Sequence, residues 1–167
     1  MGKQVEAVSR RTDSMEEIKE APWFAEGLKF KCTECGKCCT GSPGYVFLSS
    51  SDLERLAEHF SVTSDIFIKT YTYKVDDRLS LIDRPGTTDC IFLKDKRCTI
   101  YYARPTQCRT FPWWLHFLKD DAAWEKAASH CEGINHPEAP IVPGLKIQGE
   151  LLTYLDNLIE QNFSLPT

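Results

Sequence analysis

The chain has 167 residues, 42% of them hydrophobic and 26% charged, with a formal net charge of −4. This composition fits a soluble globular domain large enough to bury a core, and with no basic run longer than Arg10 and Arg11 it argues against nucleic acid as a partner. No apolar run reaches signal-peptide or membrane-span length, so a cytoplasmic protein with no membrane partner is expected, and in that reducing setting eight cysteines read as metal ligands or redox thiols rather than disulfides.

In chain order, Asp13 or Ser14 can cap a short helix that ends near Pro22. Trp23, Phe24, Leu28 and Phe30 then lead into a cysteine-rich loop and are expected to pack beneath it. Beyond the loop, Tyr45 to Leu48 reads as a strand. One of Ser49, Ser50 or Ser51 caps a helix over about 52–60, and a second helix covers about 64–72. Arg78 to Asp83 alternates as a half-buried strand does, and Arg84 to Asp89 is turn-rich. Residues 90–102 read as a hairpin turning at Lys94 to Arg97, with Cys90 and Cys98 on paired strands.

Pro105 opens a helical turn that Pro112 closes, holding Cys108 between them, and Trp113, Trp114 and Phe117 read as a strand-like run walling the core. His116 sits among them and reads as structural or surface, as does His59 on its helix. A helix over 120–130 leads to Cys131 and a stop at Gly133, with His130 and His136 flanking that cysteine. After a proline-rich link, residues 145–163 carry Leu151, Leu152, Leu155, Leu158 and Ile159 at helical spacing, expected as packing. The elements sum to a small single α+β domain, a short antiparallel sheet with surrounding helices around a cysteine-bound metal site. Residues 1–29 form a lead-in, 30–133 the cysteine-cluster part, and 134–167 a link and closing helix.

The chemistry concentrates in KCTECGKCCTG, which places Cys32, Cys35, Cys38 and Cys39 within eight consecutive residues. Two thiolates two residues apart can turn toward one ion if a tight loop joins them, and Gly36 suits such a loop. Cys90, Cys98, Cys108 and Cys131 are spread too widely to repeat that knuckle. Two readings stay open. One is zinc held by thiolates, in one or two centres. The other is an iron–sulfur cluster, for which Cys32, Cys35, Gly36 and Cys38 match the first three ligands of a ferredoxin loop while Ser42 stands where the fourth belongs.

The chain resembles the YkgJ family, the CxxCxxCC group of zinc- or iron-chelating proteins. The resemblance rests on CTECGKCC at 32–39, on Cys90 with Phe92 and Leu93, on Cys98-Thr-Ile-Tyr101, on Arg104-Pro105-x-x-Cys108-Arg109-x-Phe111-Pro112, and on a trailing Cys131. It implies that all eight cysteines are candidate ligands and that Tyr101, Arg104 and Arg109 belong to the signature. The arginines would offset thiolate charge beside the metal, or else hold an anionic substrate. Metal ions are the expected partners, in a structural, storage or redox role. A similar cysteine cluster in flagellin lysine methylases implies the alternative, a metal-centred transferase or oxidoreductase.

Overall fold

The computed structural model describes residues 21–41 and 43–163, so the helix expected from Asp13 lies almost wholly outside the described residues. Mixed α+β architecture is present, with five α-helices among the described residues, but the expected single sheet is three separate two-stranded antiparallel pairs. β1 (Leu28–Lys29) pairs with β6 (Ile141–Val142), β2 (Thr72–Val75) with β3 (Arg78–Leu81), and β4 (Leu93–Lys94) with β5 (Arg97–Cys98).

Local chemistry sets the helices. α1 (Ser50–His59) starts at Ser49, whose hydroxyl accepts from the Asp52 amide while the Asp52 carboxylate accepts from the Ser49 amide, a reciprocal capping box. α2 (Ser64–Tyr71) is capped by Thr63. The single turn α3 (Thr106–Arg109) follows Pro105, and α4 (Asp121–Ala128) is capped by Asp120, whose carboxylate accepts from the Ala123 amide at 2.7 Å. α5 (Gly144–Phe163) closes the chain.

Three sequence expectations need correction. Tyr45 to Leu48 makes only one bridge, Phe47 to Ser80, beside β3. Its other edge meets no strand: the Gln107 side chain accepts from the Phe47 amide at 3.1 Å and donates to the Tyr45 carbonyl at 2.9 Å. Trp113 to Phe117 is a chain of turns, with the Trp113 amide donating to the Thr110 carbonyl at 2.7 Å and the Phe117 amide to the Trp114 carbonyl at 2.9 Å. On α5 Leu151 packs against the second core as expected and Ile147, Asn157 and Gln161 are buried, whereas Leu152 and Ile159 face out.

Two apolar cores result. The first gathers Leu48, Leu53, Leu56, Phe67, Leu81, Phe92 and Ile100, with Cys90 and Cys98 packed against it. The second gathers Phe24, Trp113, Leu118, Trp124, Ile134 and Ile147, with Cys131 packed against it and Trp113 stacked on Trp124 at 5.4 Å. Phe24, Leu28 and Phe30 thus pack as the sequence suggested. A buried polar knot joins α1, α3 and α5: fully buried Asp52 accepts from the Thr106 amide and hydroxyl, both at 2.8 Å, and from Asn157 at 3.0 Å. No helix among the described residues is long and apolar enough to cross a membrane.

Candidate metal centre

Four segments far apart in sequence are pulled to the seam between the two cores, and each carries cysteine. The loop 31–39 is tied to the Cys131 segment by the Lys31 amide on the Gly133 carbonyl at 3.1 Å and by a Phe30–Ile134 bridge. Glu132 adds two bonds, accepting from the Thr33 hydroxyl at 3.0 Å and from Lys37 at 2.8 Å. Gly133 is needed there because a side chain would run into the Lys31 carbonyl.

The same loop is tied to the Cys90 segment. The Cys90 amide donates to the Cys39 carbonyl at 2.8 Å, the Thr88 hydroxyl to the Gly41 carbonyl at 2.7 Å, and Thr40 to Asp89. Leu93 pairs with Cys98, which sets Cys98 on β5, while Cys90 lies outside the strands and bridges Asp83. The expected cross-strand pairing of Cys90 with Cys98 is therefore replaced by proximity through a tight turn, in which the Leu93 amide returns to the Cys90 carbonyl at 2.9 Å.

At the centre, the Cys38 and Cys39 sulfurs lie 3.8 Å apart, and Cys39 also contacts the Cys98 thiol. Contact with Cys39 pulls Cys38 down to about 7 and Cys98 down to about 6, while the Cys39 thiol is pushed up, first by its contacts with those two and then by burial. Burial pushes Cys90 up to about 11 and Cys108 well above the ordinary thiol value, with the charges of neighbouring cysteines adding to it. Cys131 is raised by burial first and then, against two backbone hydrogen bonds, by Cys35 and Cys38. Seven cysteines thus lie within electrostatic reach of at least one other.

The eighth, Cys32, contacts the Tyr101 hydroxyl, whose titration is raised by burial and then by that contact. Arg104 lies over the Tyr101 ring at 3.6 Å and its charge lowers Cys38 and Cys98. Its Nε is buried without a hydrogen-bond partner among the described residues. Arg109 goes elsewhere: it is exposed and donates to the Thr106 hydroxyl at 3.2 Å. His59 meets the Phe60 ring edge-on, His116 lies tilted against Phe117, His130 bonds Ser129, and His136 accepts from the Glu138 amide at 3.2 Å, and none of these contacts is with a cysteine.

All eight cysteines are free thiols, and the site is more open than the sequence suggested, with Cys32 and Cys38 exposed and the rest half-buried. Among the described residues no group of three or more side chains stands in finished metal-ligand geometry. The donor chemistry nevertheless fits: a tetrahedron of sulfurs at the zinc–thiolate distance of ~2.3 Å has an edge of about 3.8 Å, the spacing of Cys38 and Cys39. The Arg104 guanidinium, its Nε without a hydrogen-bond partner among the described residues, suits clustered negative charge.

Sequence reasoning missed Lys37 with Glu132 and Asp89 with Thr40, which carry no signal beyond being polar near cysteines. No solved structure matches the chain significantly. Curated relatives include the uncharacterized protein MJ0661 of Methanocaldococcus jannaschii, 29% identical over 92 residues, a stretch that is 54% of this chain and 48% of that protein. The chain thus spans about half the length of that relative. Residues 31–132, the span holding every cysteine, match the family model described as "CxxCxxCC: Putative zinc- or iron-chelating domain", and the chain belongs to the CxxCxxCC family.

Proposed function

We propose that this protein chelates zinc or iron through its eight cysteines, in one or two centres, and that the metal ties its two cores together. The observation that carries this reading is the 3.8 Å approach of the Cys38 and Cys39 sulfurs together with the mutual effect of Cys39 and Cys98 on their titration, thiols from segments about sixty residues apart in sequence. Thiols brought together without disulfides, beside a guanidinium whose Nε has no hydrogen-bond partner among the described residues, suit soft or borderline cations. Cys38, Cys39, Cys98, Cys108 and Cys90 would form one ligand group and Cys32, Cys35 and Cys131 the other. Arg104, with Tyr101 beneath it, would offset their charge, and Arg109 would act from further out through Thr106.

When bound, the metal supplies cross-linking Lewis acidity, or electron transfer if it is an iron–sulfur cluster. The chain's own part is to hold thiolates together that would otherwise repel. Position supports a structural role: Cys90 and Cys98 pack against the first core and Cys131 against the second. The test is elemental analysis of protein purified without oxygen. Stoichiometric zinc in a colourless protein supports the chelating and structural reading. Brown protein bleached by dithionite moves the role to redox, and metal-free protein that takes up neither ion sinks the proposal. The exposure of Cys32 and Cys38 favours one further reading, an enzyme whose substrate approaches the metal from that side, which a cysteine-dependent transferase activity would establish.

A further inference from the structure

Helix α5 has an apolar side that no core among the described residues uses. Ile147 is fully buried on the inner face, yet Leu145, Leu152 and Ile159 are 83%, 60% and 57% exposed. They are spaced by seven residues, so they share one face, opposite Ile147, along roughly 21 Å of helix. An aliphatic stripe on a solvent-facing helix marks an interaction surface.

We infer that a second copy of this chain docks there, antiparallel, with the two-fold axis passing beside Leu152. Three observations select this occupant. The stripe is palindromic about Leu152, so the symmetry lays Leu145 of one copy against Ile159 of the other and Leu152 against itself. Lys146 and Asp156 lie on the same flank of the stripe, six residues before its centre and four after. Antiparallel pairing therefore brings them within about two residues, ~3 Å along the axis, twice by symmetry. Neither residue makes an ion pair among the described residues.

Gly149, seven residues before Asp156, lies on that same flank, and a Cβ there would meet nothing within 4 Å, so it leaves room for the second backbone to approach. A parallel pairing would put this flank of one helix on the opposite side of the seam from that of the other, and both Lys146–Asp156 pairs would be lost. A membrane surface is a poorer occupant, because the helix carries Lys146 against Glu150, Asp156 and Glu160 and anionic lipid favours the reverse. One helix pair is a small interface, so the dimer is weak and concentration-dependent.

Sedimentation equilibrium of the full chain, with a phosphine reductant to prevent disulfide cross-linking, tests this. Expected is a concentration-dependent monomer–dimer equilibrium, abolished by Leu152→Glu with helical circular dichroism unchanged. Lys146→Asp weakens the dimer about tenfold, since two attractive pairs become repulsive, and adding Asp156→Lys restores it. Gly149→Leu provides a second reading, weakening the dimer by bulk without charge. A chain monomeric at every concentration overturns the inference, whether residues 1–20, a lipid surface or another protein covers the stripe instead. So does a Leu152→Glu dimer as tight as the parent, or a charge-reversed double variant no better than the single one.

Discussion

Gly36 sits against the carbonyl of Lys96. A Cβ at Gly36 would collide with that oxygen and come within 2.9 Å of its carbon, and the residue holds φ at +73°. The glycine between the second and third cysteines is thus required twice, by the left-handed turn and by the close approach of the β4–β5 turn. Gly36→Ala is expected to cost about 1–3 kcal/mol, from strain at a left-handed position plus displacement of backbone that cannot yield. Because that displacement separates Cys38 and Cys39 from Cys98, metal content should fall along with the melting temperature. Gly41→Ala is the control, since a Cβ there meets nothing within 4 Å although φ is also positive.

How far the sequence led depends on where the information is stored. The helices were legible because their caps are local: Ser49, Thr63 and Asp120 each bond an amide three residues on. The β4–β5 turn was legible for the same reason. The β2 strand was missed although Asp76 and Asp77 stand between alternating runs, Asp76 at φ +52°, which is a two-residue hairpin signal. Tyr45 to Leu48 was overread because the partner of its outer edge is the side chain of Gln107, about sixty residues away. For the candidate metal centre, the eight cysteines were legible in sequence order, but not that Cys39 lies between Cys38 and Cys98, which depends on the turn at Gly36 and the register of β5.

Thiol reactivity should follow the same grouping. In metal-free protein at neutral pH, Cys38 and Cys98, lowered to about 7 and about 6, are expected to react fastest with iodoacetamide among the clustered cysteines. Cys90 and Cys108, raised by burial, should react slowest. Contact with Cys39 is the largest cause of the lowering at both fast sites, ahead of Arg104. Cys39→Ala should therefore slow Cys98 more than Arg104→Met does, roughly tenfold per unit of pKa restored when the pH lies below it. Peptide mass spectrometry of timed alkylation reads this out, and an Arg104→Met effect larger than that of Cys39→Ala would reverse the assignment.

Acid sensitivity should centre on Asp52. Burial alone would raise its titration, but bonds from the Thr106 amide and hydroxyl, then Arg55 and Asn157, outweigh it and hold the carboxyl below its ordinary value. A carboxylate depressed in the folded state contributes stability that is fully present above its unfolded pKa of ~3.9 and is lost as pH falls through the lower folded value. Stability should thus decline below about pH 4 and the decline should be shallower in Asp52→Asn. At pH 7 the same variant should be less stable by roughly 3 kcal/mol, because Arg55 and the Thr106 donors lose a buried charged acceptor. Denaturant melts at pH 3 and pH 7 test both signs.

Removing the metal should loosen one junction and spare the other. The two cores are joined at Asp52, where α1, α3 and α5 share a hydrogen-bonded carboxylate, and at the cysteine seam, where loop 31–39 meets the Cys90 and Cys131 segments. Only the second depends on thiolates that repel when deprotonated and unbridged. A metal bound a thousandfold above its dissociation constant stabilises a fold by about 4 kcal/mol, and a stripped protein forfeits that amount. Chelation is therefore expected to lower the melting temperature and to speed amide exchange at Lys31, Cys39 and Cys90. Exchange at Leu53 and Phe67, whose amides lie in helices of the first core, should change little. Uniform acceleration across both groups would mean the metal holds the whole fold rather than its seam, and an unchanged melting temperature would mean it holds neither.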